Sequence, residues 1–361
     1  MEQALQLLSF LIGGIIISMI CNEILLRFSQ SLGIRNKNDV VVRWSNESKP
    51  SLGGVSFFIV FVFTSMIFSM VYFEDNIFHN SNFVGLMISG PLAFLMGLAD
   101  DAYNTKPFGK LLVQILCGLT FVFAGINLDL FHIPLVDSLI TIIWVVGIMN
   151  SLNMLDNMDG ITGTTVLFIL ITCLISHWVF AGIIADVWSV SLIAMIGCIL
   201  GFLKYNINPS RLFMGDAGSQ FIGLFVAFFS VKYLWNVGSE NPESTEIESW
   251  IGFVITLIAF TGAAADTFTV VINRLKKGKS PMVGGKDHTT HHLVYAGFND
   301  KKVWYIFTAI GVFSTILAVI MITFLKKDLI LPIVFSSVYF LAIFIMLYKN
   351  TIKYKAPNTE K

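Results

Sequence analysis

Residues 134–160 read PLVDSLITIIWVVGIMNSLNMLDNMDG, in which an apolar run over 134–149 is followed by Asn153, Asp156 and Asp159 at three-residue spacing. On an α-helix, steps of about 100° and 1.5 Å would place these three side chains on one slanting stripe. Oxygen ligands of this kind suit Mg²⁺, which binds few protein carboxylates and leaves positions open for water and substrate phosphates. A solvated acidic cap at the end of a membrane helix is the alternative interpretation of this segment taken alone.

The composition extends the membrane interpretation to the whole chain. Of its 361 residues, 55% are hydrophobic and 13% are charged, and the mean hydropathy is +0.78, which is too apolar for a water-soluble domain. An apolar run of about 17–25 residues is needed to cross a hydrocarbon core of about 30 Å. The sequence contains such runs at 4–26, 52–72, 83–99, 111–127, 134–149, 161–180, 184–203, 219–236, 250–272, 303–324 and 329–348. We therefore predict an all-α polytopic membrane protein with about 11 transmembrane helices, which form a single transmembrane domain over 1–361.

The distribution of basic residues predicts how these helices are oriented. Lysine and arginine are retained on the cytoplasmic side of the membrane in short loops. With the N-terminus outside, most of the 23 basic residues fall in cytoplasmic loops or in the C-terminal tail, whereas Lys326 and Lys327 fall in an outer loop. This orientation places the C-terminus in the cytoplasm and requires an odd number of helices. The formal net charge of zero gives no reason to expect a nucleic-acid partner.

Two more acidic segments fall at the cytoplasmic ends of predicted helices. Asp100 and Asp101 are adjacent at the end of the third run, and their charges repel each other unless a cation or a shared proton relieves them. Asp216 lies between two glycines just before the eighth run, where a tight turn would project one carboxylate at a helix N-terminus. An ordinary acidic helix end is the alternative for Asp100 and Asp101. Lys110 could pair with a diphosphate, and a lysine that snorkels to the interface is its alternative.

The ninth run contains Asp266 within its apolar residues, and an ionisable group at such depth usually has a function or a partner. Arg274, near the same helical face, is a possible partner, and a purely structural ion pair is the alternative. The basic loop that follows holds His288, His291 and His292. Three histidines could bind zinc, but no cysteine or HExxH pattern accompanies them. Phosphate recognition is therefore favoured over zinc binding, and a solvated loop with incidental histidines is the alternative.

Four motifs occur along the chain, namely Asp100-Asp101, Asn153-x-x-Asp156-x-x-Asp159-Gly160, Phe213-Met214-Gly215-Asp216-x-Gly218-Ser219 and the loop with His291-His292. Their types and order resemble those of the polyprenyl-phosphate N-acetylhexosamine-1-phosphate transferases, also called glycosyltransferase family 4. The similarity covers roughly residues 40–300, which leaves 301–361 for two further helices and a cytoplasmic tail.

The sequence departs from this family's pattern in two places. Lys49-Pro50-Ser51 stands where many relatives have a Thr-Pro pair before the first Gly-Gly. The loop reads His288-Thr-Thr-His291-His292, whereas the sugar-linked enzymes usually have His-x-His-His. This loop looks closer to the GlcNAc-1-phosphate transferase branch than to the muramoyl-pentapeptide branch, which generally has three consecutive histidines.

The resemblance implies a reaction at the cytoplasmic face of a bacterial inner membrane. Undecaprenyl phosphate would attack the β-phosphate of a UDP-N-acetylaminosugar, with GlcNAc as the leading sugar, and release UMP. The reaction would be the first membrane step of a cell-envelope polysaccharide, such as the O-antigen of lipopolysaccharide.

The resemblance also implies residue roles and a cofactor. Mg²⁺, with Mn²⁺ as a substitute, would be held by Asp216, Asp156 and Asn153. The expected catalytic residues are Asp100, Asp101, Asp156 and Asp159, and the expected substrate-binding residues are Lys110, Asn153, Asp266, Arg274, His288, His291 and His292.

Other functions compete with this interpretation. The muramoyl-pentapeptide transferase of peptidoglycan synthesis is the nearest alternative. A transporter would use Asp266 to relay ions, but it should show inverted repeats and charges near the bilayer midplane, and this sequence shows no such repeat. An intramembrane prenyltransferase also binds Mg²⁺-diphosphate through Asp-rich motifs, but the Met-Gly-Asp-x-Gly-Ser segment has no place in it. A homodimer is a candidate assembly.

Overall fold

The computed structural model describes residues 2–29, 49–71, 77–237, 246–281, 284–325 and 330–356. Within these ranges the chain forms thirteen α-helices, one 3₁₀ turn and one π-helical turn, and no β-strand. The helices are α1 (Glu2–Ser29), α2 (Val55–Val71), α3 (Ser81–Tyr103), α4 (Pro107–Phe123), α5 (Pro134–Leu155), α6 (Ile161–Ala181), α7 (Val187–Asn206), α8 (Gly215–Ser230), α9 (Glu246–Ala259), α10 (Thr261–Lys276), α11 (Thr289–Tyr295), α12 (Asp300–Thr323) and α13 (Ile330–Lys353). The π-helical turn, Val231–Trp235, continues α8.

The helices confirm the prediction of an all-α polytopic membrane protein. Among the described residues, eight helices are long and apolar enough to cross a membrane, and α9 with α10 makes a ninth span if the pair is counted as one. Helices α2 and α4 are apolar but have only 17 residues each. The number of eleven spans, the single domain and the orientation stay predictions. Much of the first basic loop and both Lys326 and Lys327 lie outside the described residues.

The ninth predicted span is broken near its middle. Helices α9 and α10 meet at an angle of 85°, and Phe260 between them has φ −94° and ψ 13°. The Thr261 hydroxyl donates to the Ile258 carbonyl at 2.7 Å, which satisfies a carbonyl that the break would otherwise leave without a helical partner. Helix α10 then packs against α5, α11, α12 and α13. The break therefore directs Asp266 and Arg274 toward the end of the bundle where α11 lies.

Helix α8 lies at the centre of the bundle. It packs against α2, α3, α5 and α6, and its phenylalanines are fully buried: Phe221, Phe225, Phe228 and Phe229. Close packing of these large side chains against the neighbouring helices stabilises the position of α8, because helices within a membrane associate through van der Waals contact. Since α8 begins at Gly215, its central position places Asp216 among the ends of the surrounding helices.

Close backbone contact holds the first turn of α8. Gly215 has φ +77°, a conformation that side chains with a Cβ rarely adopt. The backbone N–H groups of Gly53 and Gly54 donate to the carbonyls of Phe213 and Met214, both at 2.9 Å. A Cβ on Gly54 would lie only 2.0 Å from the Gly218 Cα. The glycines of this loop therefore serve a backbone contact with α8, which sets the position of its N-terminus.

A partly buried hydrogen bond between His177 and Asp186 closes the loop between α6 and α7. His177 Nε2 lies 3.0 Å from Asp186 Oδ2, and the Ser189 N–H donates to Asp186 Oδ1 at 2.8 Å. Burial opposes ionisation of Asp186, but the hydrogen bonds from His177 and Ser189 outweigh it, so the pKa of Asp186 is lowered. The ionised form of Asp186 therefore stabilises the folded protein.

We expect this carboxylate to contribute to acid denaturation. Because the pKa of Asp186 is lower in the folded protein than its ordinary value of 3.8, the stabilisation is present above 3.8 and is lost as the pH falls through the folded value. Asp186→Asn keeps a good helix N-cap but removes the charge, so its unfolding temperature in detergent should depend less on pH in this acid range. Asp186→Ala is the control that also removes the cap, which costs about 1 kcal/mol. An acid dependence of Asp186→Asn equal to that of the wild type would contradict this assignment.

Candidate active site

Lys110 connects two of the predicted acidic segments. Its Nζ forms an ion pair with Asp100 Oδ2 and lies 3.5 Å from Asp216 Oδ2. Asn104, in the left-handed conformation, ends α3, and Pro107 begins α4, so the chain reverses over a few residues and returns Lys110 to the side of Asp100. Asp100 is held by Thr105, whose backbone N–H and hydroxyl donate to Oδ1 at 2.8 and 2.6 Å. Asp100 and Asp216, from distant parts of the chain, are thus brought together through Lys110.

Asn153 joins the same cluster from α5. Its Nδ2 donates to Asp216 Oδ1 at 2.6 Å and to Ser219 Oγ at 2.8 Å. Helix α5 continues past the apolar run and ends at Leu155, which places Asn153 in its last turn. Asn153 therefore binds Asp216 through its amide nitrogen, and its role as a metal ligand stays a prediction.

Asp101 contacts the backbone of α8. Its Oδ2 accepts from the Ala217 N–H at 2.9 Å, and a Cβ on Gly215 would lie 2.8 Å from the same oxygen. A carboxylate at a helix N-terminus satisfies a free N–H group and interacts favourably with the helix dipole. In this structure Asp101 thus holds the turn that presents Asp216, and its predicted catalytic role stays a prediction.

Asp156 lies just beyond the end of α5. Burial, followed by the charges of Asp216, Asp101 and Asp159, raises the pKa of Asp156 to about 7. The carboxylates of this cluster thus repel one another, and Lys110 is the cation that contacts two of them. A further cation would relieve the repulsion.

The donor set of this cluster fits Mg²⁺ bound together with a substrate. Among the described residues, no three His, Cys, Asp or Glu side chains form a ready-made metal cage. Mg²⁺ does not require one, because it is often bound by one or two carboxylates, with water and substrate phosphates as the other ligands. Asp216 and Asp156 could supply carboxylates of this kind, since the charge of Asp216 acts on Asp156.

The prediction that Asn153, Asp156 and Asp159 lie on one helical stripe is wrong for Asp159. The helix ends at Leu155, because Asp156 leaves helical geometry with ψ 49°. Asp159 instead accepts from Asn208 Nδ2 at 3.1 Å, and from the Ser210 backbone N–H and hydroxyl at 3.0 and 2.8 Å. This carboxylate fastens the loop before α8 to the end of α5, which is a structural role. Its predicted catalytic role stays a prediction.

The suggested pairing of Asp266 with Arg274 is wrong. The fully buried Asp266 contacts His288 Nδ1 at 2.8 Å through Oδ2, and its Oδ1 accepts from the Thr289 N–H and hydroxyl at 2.8 and 2.6 Å. Arg274 donates from Nε and Nη2 to the two oxygens of Asp287 at 2.9 and 2.7 Å. Asp266 and Arg274 are thus each satisfied by the loop that folds back over α10. The loop is therefore anchored at both Asp287 and His288.

The three predicted histidines have different surroundings. A carboxylate can only accept, so His288 carries its hydrogen on Nδ1 when it bonds to ionised Asp266. Burial and then the charge of His288 lower the pKa of His291 to about 3, so His291 is neutral at neutral pH. His292 bonds through Nδ1 to the Tyr354 carbonyl after α13. Contacts of these histidines with phosphate stay predictions, and a neutral His291 would make them as a hydrogen-bond donor.

Helix α11 is tied to the acidic cluster through a residue that the sequence analysis missed. The Thr290 hydroxyl donates to Asn157 Oδ1 at 2.6 Å, and Asn157 lies between Asp156 and Asp159 in the chain. All the predicted site segments therefore belong to one connected region at the same end of the bundle. Asp266 and Arg274 take part in it as supports of the histidine loop.

A group of three amides, here called the amide layer, lies one helical turn deeper in the bundle: Gln114, Asn150 and Gln220. Gln114 Nε2 donates to Gln220 Oε1 at 3.0 Å, and Asn150 Nδ2 donates to Gln114 Oε1 at 2.8 Å. Gln114 follows Lys110 by four residues, and Gln220 follows Asp216 by four. An isolated amide one turn inward from a charged site residue is the sequence signal that could have found them.

Known proteins are similar to this chain over much of its length. The family model described as Glycosyl transferase family 4 matches residues 83–234. A probable undecaprenyl-phosphate N-acetylglucosaminyl 1-phosphate transferase of Bacillus subtilis is 24% identical over 75% of this chain and 73% of that protein. A decaprenyl-phosphate N-acetylglucosaminephosphotransferase of Mycolicibacterium smegmatis is 24% identical over 74% of this chain and 72% of that protein. A phospho-N-acetylmuramoyl-pentapeptide-transferase of Streptococcus agalactiae is 25% identical over 55% of this chain and 64% of that protein.

Proposed function

We propose that this chain, which is related to the polyprenyl-phosphate N-acetylhexosamine-1-phosphate transferases of glycosyltransferase family 4, catalyses their reaction on a UDP-N-acetylaminosugar. An oxygen of the lipid phosphate attacks the β-phosphorus and forms the new P–O bond. The bond from the β-phosphorus to the bridging oxygen breaks, and UMP leaves with the electron pair. The products are a lipid-linked sugar diphosphate and UMP.

The observation that supports this proposal most is the contact of Asp216 with both Lys110 and Asn153. Phosphoryl transfer depends mainly on positioning and on neutralising charge at the phosphate oxygens. Mg²⁺ held by Asp216 and Asp156 would supply that neutralisation at the diphosphate. Lys110 adds a cationic donor, and Asp101 holds the turn that presents Asp216.

The lipid phosphate needs little help to become a nucleophile. A phosphate monoester has a second pKa of about 6, so much of it is already dianionic at neutral pH. In this proposal Asp100, which is paired with Lys110 and Thr105, would orient this group or take a remaining proton. A strong general base is therefore unnecessary.

We further propose GlcNAc as the aminosugar, undecaprenyl phosphate as the lipid and the bacterial inner membrane as the location. Two relatives named for N-acetylglucosamine match about three quarters of the chain, at 75% and 74%, whereas the muramoyl-pentapeptide relative matches 55%. The product would begin a cell-envelope polysaccharide. The muramoyl-pentapeptide reaction is the second candidate, because that relative also matches.

A panel assay tests the proposal. Detergent-purified protein is incubated with undecaprenyl phosphate and either UDP-GlcNAc or UDP-N-acetylmuramoyl-pentapeptide, with Mg²⁺ or with EDTA, and UMP is measured. We expect UMP only with UDP-GlcNAc, lipid and Mg²⁺ together. Release from the pentapeptide substrate instead would select the second candidate, and no release from any UDP-sugar would reject a transferase function.

Asp266, the buried carboxylate that contacts His288 of the histidine loop, gives a further prediction. In Asp266→Asn one oxygen can still accept from Thr289, but the new amide nitrogen would face His288 Nδ1 and favour the wrong tautomer. We expect UMP release to fall by about 10- to 100-fold, the range seen when a carboxylate that orients a functional histidine is lost. The unfolding temperature in detergent serves as the folding control. If Asp266 acts through His288, adding His288→Ala to this variant should lower the rate little further, and fully additive losses would contradict that link.

A further inference from the structure

Both oxygens of the Asp216 carboxylate are already in use within the chain. Asn153 Nδ2 donates to Oδ1 at 2.6 Å, and Lys110 Nζ lies 3.5 Å from Oδ2. One contact is a neutral amide and the other is a full positive charge. A divalent cation that binds Asp216 therefore meets the Lys110 ammonium at the same carboxylate.

Lys110 keeps a second carboxylate partner if it leaves Asp216. Its ion pair with Asp100 remains a second anchor, and its side chain is 22% exposed, so it reaches the open side of the cluster. A lysine ammonium is a point charge on a flexible four-carbon stem, which lets it change partners without movement of the backbone.

The helices themselves are held in place beneath this contact. The amide layer connects α4, α5 and α8 one turn below Lys110, Asn153 and Asp216. Gln114 and Gln220 are almost completely buried, and hydrogen bonds between buried amides resist separation of the helices. A change of partner at Asp216 is therefore confined to the Lys110 side chain.

We propose that the Lys110 ammonium and the divalent cation compete for Asp216, so that cation binding displaces Lys110 from Oδ2 and makes its N–H donors available to substrate phosphate oxygens. This inference rests on the proposed function, because it concerns the cation of that same site. Lys110 is then a counter-ion of the carboxylates before it is a substrate ligand. Two like charges a few ångströms apart at a partly buried site repel each other strongly.

Direct cation binding tests the inference without turnover. Mn²⁺ binding to the detergent-purified full chain, without substrates, is measured by electron paramagnetic resonance for the wild type, Lys110→Met and Lys110→Arg. We expect Lys110→Met to bind Mn²⁺ about tenfold more tightly, although it releases UMP more slowly, because one opposing charge is gone. Lys110→Arg keeps the charge and should bind with an affinity close to that of the wild type.

Lys106→Met is the matched control. Lys106 is exposed at the N-cap of α4, one turn before Lys110, so the variant loses the same charge without the contact and should bind Mn²⁺ as the wild type does. If the wild type releases UMP but Lys110→Met binds Mn²⁺ no more tightly, or more weakly, the competition is refuted while the transferase function stands. If the wild type releases no UMP from any UDP-sugar, the function itself fails.

Discussion

Asp216→Asn is expected to abolish sugar-phosphate transfer and to leave the protein folded. Asparagine preserves the size of the side chain and an oxygen that can accept from Asn153, but it removes the negative charge that faces Lys110. Charge stabilisation at the reacting phosphates is the largest contribution expected in this chemistry, so we expect a loss of about a thousandfold or more in the rate of UMP release. The initial rate of purified protein at saturating Mg²⁺ is the measurement.

Two controls separate loss of the ligand from loss of the fold. The unfolding temperature of Asp216→Asn in detergent should lie close to that of the wild type, because the buried core of α8 is unchanged. Ser219→Ala removes the other acceptor of Asn153 without touching a carboxylate, and its rate should fall far less. Near-normal turnover of Asp216→Asn would defeat the metal assignment of Asp216.

Asp156→Asn should have the second largest effect on the rate of UMP release. It should lower the activity and raise the stability of the folded protein. Burial and then the neighbouring carboxylates raise the pKa of Asp156 to about 7. An ionised Asp156 therefore destabilises the folded protein, and wild-type stability should decline as the pH rises from near the ordinary value of 3.8 to about 7. Asparagine mimics the protonated carboxyl, so the variant should unfold at a higher temperature than the wild type near pH 8, with EDTA present.

The rate of Asp156→Asn should nevertheless fall by about a hundredfold or more, since the ionised carboxyl is the form that neutralises a cation. Thermal unfolding of both proteins across the pH range measures the stability effect, and UMP release measures the activity. Asp159→Asn is a useful comparison, because Asp159 is held by Ser210 and Asn208 and its loss should destabilise rather than stabilise. A variant at Asp156 that is both less stable and fully active would contradict the assignment.

The predictions that succeeded depended on local patterns. Apolar runs of sufficient length found the long helices, since hydropathy reports directly on burial in lipid. Asp216 and Asn153 were expected at one metal site, because both motifs were expected at helix ends on one side of the membrane. The structure brings the two side chains together through a hydrogen bond, and the shared metal stays a prediction. The turn that presents Asp216 was also predicted from a local pattern, the two flanking glycines. Gly215 adopts a left-handed conformation, which glycine adopts readily.

The predictions that failed required knowledge of distant partners. The stripe through Asp159 assumed that the helix continues, but the loop with Ser210 takes this carboxylate. The pairing of Asp266 with Arg274 assumed that charges on one helix meet, but His288 and Asp287 fold back to satisfy them separately. In each case the observed partner belongs to another segment of the chain. Helical spacing does not predict where that segment lies.

The amino-acid sequence by itself determined that this protein is a helical membrane protein with acidic groups gathered at helix ends, because hydropathy and side-chain type are properties of each short segment. Only the tertiary structure decided which atoms meet. Lys110 and Asp216 are separated by 106 residues, and their contact exists because the packing of α3, α4, α5 and α8 brings those helix ends together. Such packing is the sum of many small contacts over the whole bundle, so no single segment specifies it.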